Sequence, residues 1–228
     1  ITTGKLTVNG SKDIADGSAR MEAWQACISG PWPAVRSRKC RITNRKTEDD
    51  SMTFTQHYDS PLGGILLAAD KMGLTGLWFM GQKYFALYLD REHKEKDLPV
   101  FRDTKHWLDI YFSGKEPNFK LPLHFTGSPF QNEVWKILYS IPYGKTMTYG
   151  EIARIIALQR GLAQMSAQAV GSAVGHNEIS IIVPCHRVVG SSGNLTGYAG
   201  GIDKKVKLLK LEGAWQERFF VPKKSTAP

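Results

Sequence analysis

Val183-Pro184-Cys185-His186-Arg187-Val188-Val189 sets a cysteine, a histidine and an arginine side by side, straight after an apolar run. Ile179, Ile181, Ile182 and Val183 predict a buried strand, and the proline ends its hydrogen-bond ladder. Cys185 is thereby delivered to the mouth of a core. A thiol attacks only as thiolate, and neighbouring cationic or proton-accepting groups lower its pKa. His186 and Arg187 stand where they could supply that environment. Buried cysteines are more often inert small hydrophobes, so the rest of the chain has to support a reactive role.

Outward from this stretch, toward the N-terminus, the chain is helical and well punctuated. Ser128-Pro129-Phe130-Gln131 is a capping box with proline at the first helical position. Phe130, Val134, Leu138 and Ile141 then share one face. Thr148-Tyr149-Gly150-Glu151 is a second capping box, opening a helix that buries Ile152, Ile155 and Ile156. After a rather long loop at 158–165, Ser166 caps a third helix with Ala169, Val170, Ala173 and Val174 inside. Gln168, Ser172 and Gly175 line its other face, which carries no charge. So smooth a surface on a helix-turn-helix can press close to a nucleic-acid groove.

Farther out the period changes. Residues 53–58 partly alternate, 61–64 make a turn, 65–69 are a short apolar run, and 70–73 make another turn before 74–80. That pattern predicts an antiparallel meander, followed by helical spacing over 101–112. Strands first and helices after make the chain α+β. Residues 1–51 have few regular apolar positions and a basic cluster at 36–46. They predict a poorly ordered, solvated extension.

The 228 residues suffice for one large or two small domains. A net charge of +9 points to a polyanionic partner, with nucleic acid the first candidate. No apolar stretch nears the ~20 residues that cross a bilayer, and no signal-peptide pattern opens the chain. A cytoplasmic protein, nucleoid-associated if prokaryotic, is expected. Cys27, Cys40 and Cys185 are an odd number and form no disulfide framework. Cys27 and Cys40 are too isolated to argue a zinc site.

The cysteine motif, the upstream Asn177, the downstream Gly197-Tyr198-Ala199-Gly200-Gly201 and Leu208-Leu209-Lys210-Leu211-Glu212-Gly213 together resemble the O6-alkylguanine-DNA alkyltransferases. These are also called methylated-DNA–protein-cysteine methyltransferases. The resemblance spans about 52–215. It implies a small ribonuclease-H-like α/β domain at 52–124, then a helical domain at 125–216 with the helix-turn-helix and the active-site cysteine. An extension at 1–51 and a C-terminal tail at 217–228 flank them.

The same resemblance implies the chemistry. Cys185 attacks the alkyl carbon of a flipped O6-alkylguanine in one irreversible displacement and is consumed, with no cofactor and no metal. His186 is the general base, acting through a water and oriented by Glu212. Tyr149 protonates the leaving guanine and contacts the nucleotide backbone. Asn177 ties the recognition helix to the active-site segment. Val188, Tyr198, Ala199, Gly200 and Gly201 shape the base pocket. Gln168, Ser172, Gly175 and Arg187 join Tyr149 at the DNA. The partner is double-stranded DNA bound in the minor groove with little sequence preference, by a monomer and without a membrane. Gln168 stands where relatives commonly carry arginine, and Ala199 where some have serine. Two other readings compete: a non-catalytic lesion-binding protein of the same fold, which would lack Cys185, and a cysteine hydrolase, which would need an oxyanion hole.

Overall fold

Two tight turns fold the first half into its meander. β1 (Thr53–Ser60) and β2 (Gly63–Asp70) pair antiparallel, and Gly63 at the turn takes a φ of +110° that side chains rarely adopt. β2 pairs antiparallel with β3 (Gly73–Phe79), the Asp70 carboxylate accepting from the N–H groups of Met72 and Gly73 in the turn. This computed structural model describes residues 52–222. The predicted extension, with Cys27, Cys40 and the basic cluster, lies outside the described residues.

β4 (His93–Glu95) adds in parallel to β1, completing the sheet order β3-β2-β1-β4. All three of its residues are exposed, so no apolar pattern marks it in the sequence. α1 (Pro99–Phe112) packs on the sheet through Phe101, Leu108 and Tyr111.

The second half is helical, with the caps the sequence predicts. α2 (Pro129–Tyr139) and α3 (Tyr149–Gln159) each open on a complete capping box, and Ser166 caps α4 (Ala167–Gly175). α3 and α4, joined by a turn at 160–166, are the helix-turn-helix. Trp135 Nε1 donates to the Ala173 carbonyl at 2.9 Å and fixes α2 against α4. β5 (Met147–Thr148) pairs in parallel with β6 (Val188–Val189), and α5 (Ile202–Leu211) follows. Part of the expected C-terminal tail is packed: Phe219 is buried, and the Phe220 carbonyl accepts from the Leu195 N–H at 2.9 Å.

One core runs through both halves, from Leu67 and Phe101 to Val134, Val174 and Cys185. Each such apolar side chain contributes about 1.5–3 kcal/mol on burial. The outer edge of β3 is covered by the second half, as a sheet edge requires. Leu77 donates to the Glu178 carbonyl at 2.8 Å and accepts from Ser180 at 2.9 Å. The segment that carries the cysteine is thus pinned to the sheet.

The buried strand predicted over 179–183 does not form. Those residues are buried, but they turn rather than extend. Ile181 has a φ of 69°, and Ile182 N–H reaches Ser180 O at 2.8 Å across it. That is a strained three-residue turn, costing on the order of 1–3 kcal/mol at a β-branched residue.

Candidate active site

A buried side chain replaces the missing ladder. Asn177, just past the end of α4, donates from Nδ2 to Ile179 O at 3.3 Å and to Val183 O at 2.7 Å. Its Oδ1 accepts from Ile179 N–H at 3.2 Å. The same Nδ2 lies 3.1 Å from Cys185 Sγ. Asn177 therefore ties the end of α4 to the cysteine segment and touches the thiol itself. After it, Pro184 bridges a second three-residue turn, from Cys185 N–H to Val183 O at 2.8 Å. Cys185–Arg187 then form a single 3₁₀ turn.

That turn sends His186 and Arg187 to the same carboxylate. Glu212, the C-cap of α5, meets His186 Nε2 at 2.7 Å. Arg187 holds Glu212 with two nitrogens, at 2.8 and 3.0 Å, and donates to the Ile141 carbonyl. Tyr111 adds a hydrogen bond to Glu212 at 2.6 Å. Burial opposes the charge on Glu212, but His186 and Arg187 more than offset it and hold the carboxyl down to about 2. Glu212 is ionised, so His186 Nε2 carries the proton in that bond. His186 Nδ1 is then the basic nitrogen, and it is buried without a partner among the described residues. Burial lowers the His186 pKa despite Glu212, so the ring rests neutral.

This geometry corrects two expectations for Arg187. Its charge is spent on Glu212 and it is 7% exposed, so it cannot reach DNA. Nor does a cationic His186–Arg187 pair lower the thiol. Burial pushes Cys185 up, opposed by the Asn177 hydrogen bond and by Lys205. The cysteine rests as a neutral thiol, 4% exposed.

Lys205 and Tyr111 are functional neighbours that the sequence reading missed. Lys205 is fully buried, and its Nζ donates to the carbonyls of Val188 at 2.6 Å and Thr196 at 3.0 Å. Burial lowers its pKa to about 8, partly offset by Cys185. The only sign in the sequence is a cation on the apolar face of α5, between Ile202 and Leu208.

The remaining predicted residues surround the cysteine or the surface beside it. Tyr149 opens α3, and its hydroxyl donates to Thr196 O at 3.0 Å. Burial and the nearby Cys185 raise its pKa, so it stays protonated. Val188 is buried in the core cluster that holds Cys185. A Cβ on Gly200 would sit 2.7 Å from the Tyr198 ring, so only glycine fits there. Tyr198 is in electrostatic reach of Cys185 and also lines a cavity of about 310 Å³. Gly171, Ser172 and Gly175 of α4 form one side of that cavity, and Gly197, Ala199 and Gly201 the other. Gln168 is exposed on the first turn of α4.

Residues 54–125 match the ribonuclease-like domain of 6-O-methylguanine DNA methyltransferase, and residues 129–214 match its DNA binding domain. A methylated-DNA--protein-cysteine methyltransferase of Methanosarcina barkeri is 48% identical over 155 residues, which are 68% of this chain and 93% of the relative. One of Mycobacterium tuberculosis is 46% identical over 159 residues, 68% of this chain and 92% of the relative. The crystal structure of Mycobacterium tuberculosis OGT in complex with DNA aligns at a TM-score of 0.60 and 43% identity, over 74% of this chain and 94% of that one. On these matches and this geometry, the chain belongs to the 6-O-methylguanine DNA methyltransferase family.

Proposed function

We propose that the protein repairs DNA by direct reversal, moving the alkyl group of O6-alkylguanine onto Cys185 Sγ. The carrying observation is the buried His186–Glu212 pair beside a thiol held by Asn177. A water between Sγ and His186 Nδ1 passes the thiol proton to the imidazole, whose positive charge Glu212 stabilises. The sulfur–carbon bond then forms as the carbon–O6 bond breaks. Guanine leaves with a proton from Tyr149, a phenol too weakly acidic to yield it before the leaving charge develops. A thioether has no route back to thiol in this site, so each molecule acts once.

The lesion's reacting carbon lies inside the duplex, so the nucleotide must be flipped out at a cost of a few kcal/mol. The uncharged outer face of α4, with Gln168, Ser172 and Gly175, suits close entry into a minor groove, whose degenerate pattern gives little sequence preference. That a 43% identical protein of the same fold is bound to DNA supports this use of the helix pair. Cys185 speaks against a non-catalytic lesion binder. A hydrolase reading lacks a donor at Pro184.

The test is stoichiometry. With lesion duplex in excess, repair stops at one lesion per protein molecule. Continued repair past that ratio, or none at all, would overturn the proposal.

A further inference from the structure

We propose that Tyr111 of α1 is a positioning residue for the transfer, its hydroxyl sharing the charge of Glu212 so that His186 rests neutral and ready to take the thiol proton. The inference rests on the repair reading above and gives the first half a part in the chemistry. Tyr111 is fully buried, and its ring needs no hydroxyl to hold its place. It stacks on Trp107 at 5.4 Å and meets Phe112 and Tyr143 edge-on at 5.5 and 6.1 Å. Phenylalanine would fill the same space. A hydroxyl buried there costs stability unless it is bonded. Its bond crosses from the first half to Glu212 Oε1, at 2.6 Å.

Oε1 is also the oxygen that His186 Nε2 meets, at 2.7 Å. The 3.4 Å between the Tyr111 hydroxyl and His186 Nε2 is thus the spacing of two donors on one acceptor. An ionised carboxylate only accepts, so the phenol proton points at Oε1. Burial, and then the nearness of Glu212, raises the Tyr111 pKa well above the usual phenol range, so that proton stays. Arg187 already holds both carboxylate oxygens and balances the charge without the tyrosine. What the hydroxyl changes is the charge that Oε1 shows to the ring. A charge-assisted bond draws that charge away, and a carboxylate that shows less charge raises the His186 pKa less. Burial lowers that pKa most, and Arg187 and Lys205 push it the same way. Tyr198 stands edge-on to the ring at 6.4 Å, and Tyr143 lies near Glu212 but donates to the Leu211 carbonyl. A neutral ring can take the thiol proton, whereas one already protonated cannot.

Tyr111→Phe keeps the ring and removes the bond. The His186 imidazole would be titrated by nitrogen NMR in the free protein, and single-turnover transfer from an O6-methylguanine duplex measured against pH. The variant is expected to move the His186 titration to higher pH and to carry the acid limb of the transfer profile with it. Transfer slows about tenfold on that limb, the order set by one hydrogen bond to a charged group, and matches wild type at high pH. Replacing Tyr111 by 3-fluorotyrosine keeps the hydroxyl but makes it a stronger donor, so both curves move to lower pH. That second variant covers a phenylalanine protein that fails to fold. A His186 titration or an acid limb that stays put, or moves the other way, in either folded variant overturns the inference. Wild-type protein that transfers no methyl group sinks the repair reading instead. The titration is read without substrate, so the two failures are distinct.

Discussion

Glu212 answers to four groups at once: His186, Arg187, Tyr111 and the Gly144 N–H. Removing its charge leaves Arg187 buried and uncompensated. Glu212→Gln is expected to cost about 3–5 kcal/mol in chemical denaturation and to slow alkyl transfer, because the imidazolium loses its counter-charge. The same group sets acid sensitivity. Its folded pKa, about 2, lies below the unfolded carboxyl value near 4.3. It therefore stabilises the fold above about pH 4.3, and that contribution of about 3 kcal/mol disappears as pH falls toward 2. Lys205 acts on the thiol electrostatically. Lys205→Met is expected to slow transfer near pH 7, because the thiolate loses the cation that helps oppose the effect of burial. The deficit shrinks above pH 8, where wild-type Lys205 itself deprotonates. Single-turnover rates against pH check this, and a deficit constant with pH would refute it.

At the scale of elements, α4 carries no charged residue, and its proposed place at the DNA can be tested through that lack. Gln168 hydrogen-bonds without a cation's attraction to phosphate. Gln168→Arg is expected to tighten binding of lesion duplex at low salt and to steepen the salt dependence by about 0.9 in log–log slope. Equal binding and equal slope would count against the placement of α4 at the DNA. The helices themselves were legible because Ser128, Thr148 and Ser166 announce their starts. Residues 179–183 were not, since the same β-branched composition suits a buried strand or a buried turn, and only the Asn177 side chain decides between them. β4 has no apolar side chain to reveal it. Cys185 and His186 stand out by their adjacency, whereas Glu212 is legible only through the motif resemblance. Arg187 was misplaced because adjacency in sequence does not tell which way a 3₁₀ turn points each side chain.

The whole molecule is joined where β3 meets 178–180, next to the cysteine. Glu178 is buried at this seam, accepting from Trp78 Nε1 at 2.9 Å, and it shares a small cavity with Asp70, Tyr88 and Thr126. Asp70 is itself paired with His124 at 2.6 Å. Burial raises Glu178 to about 7, only partly opposed by the indole. The fold therefore favours its protonated form. That stability is fully present below the unfolded value near 4.3 and is lost as pH rises through 7. Glu178→Gln keeps an acceptor for Trp78 and cannot ionise. It is expected to stabilise the protein by about 3 kcal/mol at pH 8 and to bring no gain at pH 4, read from melting curves at both values. A gain equal at both would place the effect elsewhere.

All of this serves one event at one sulfur. The protein is mixed with an equivalent of duplex containing O6-methylguanine, and intact and peptide masses are recorded beside Cys185→Ser. One added methyl group on the Cys185 peptide, absent from the serine variant, is the predicted result. A methyl group found on another residue, or a serine variant that clears the lesion at the native rate, would contradict the account.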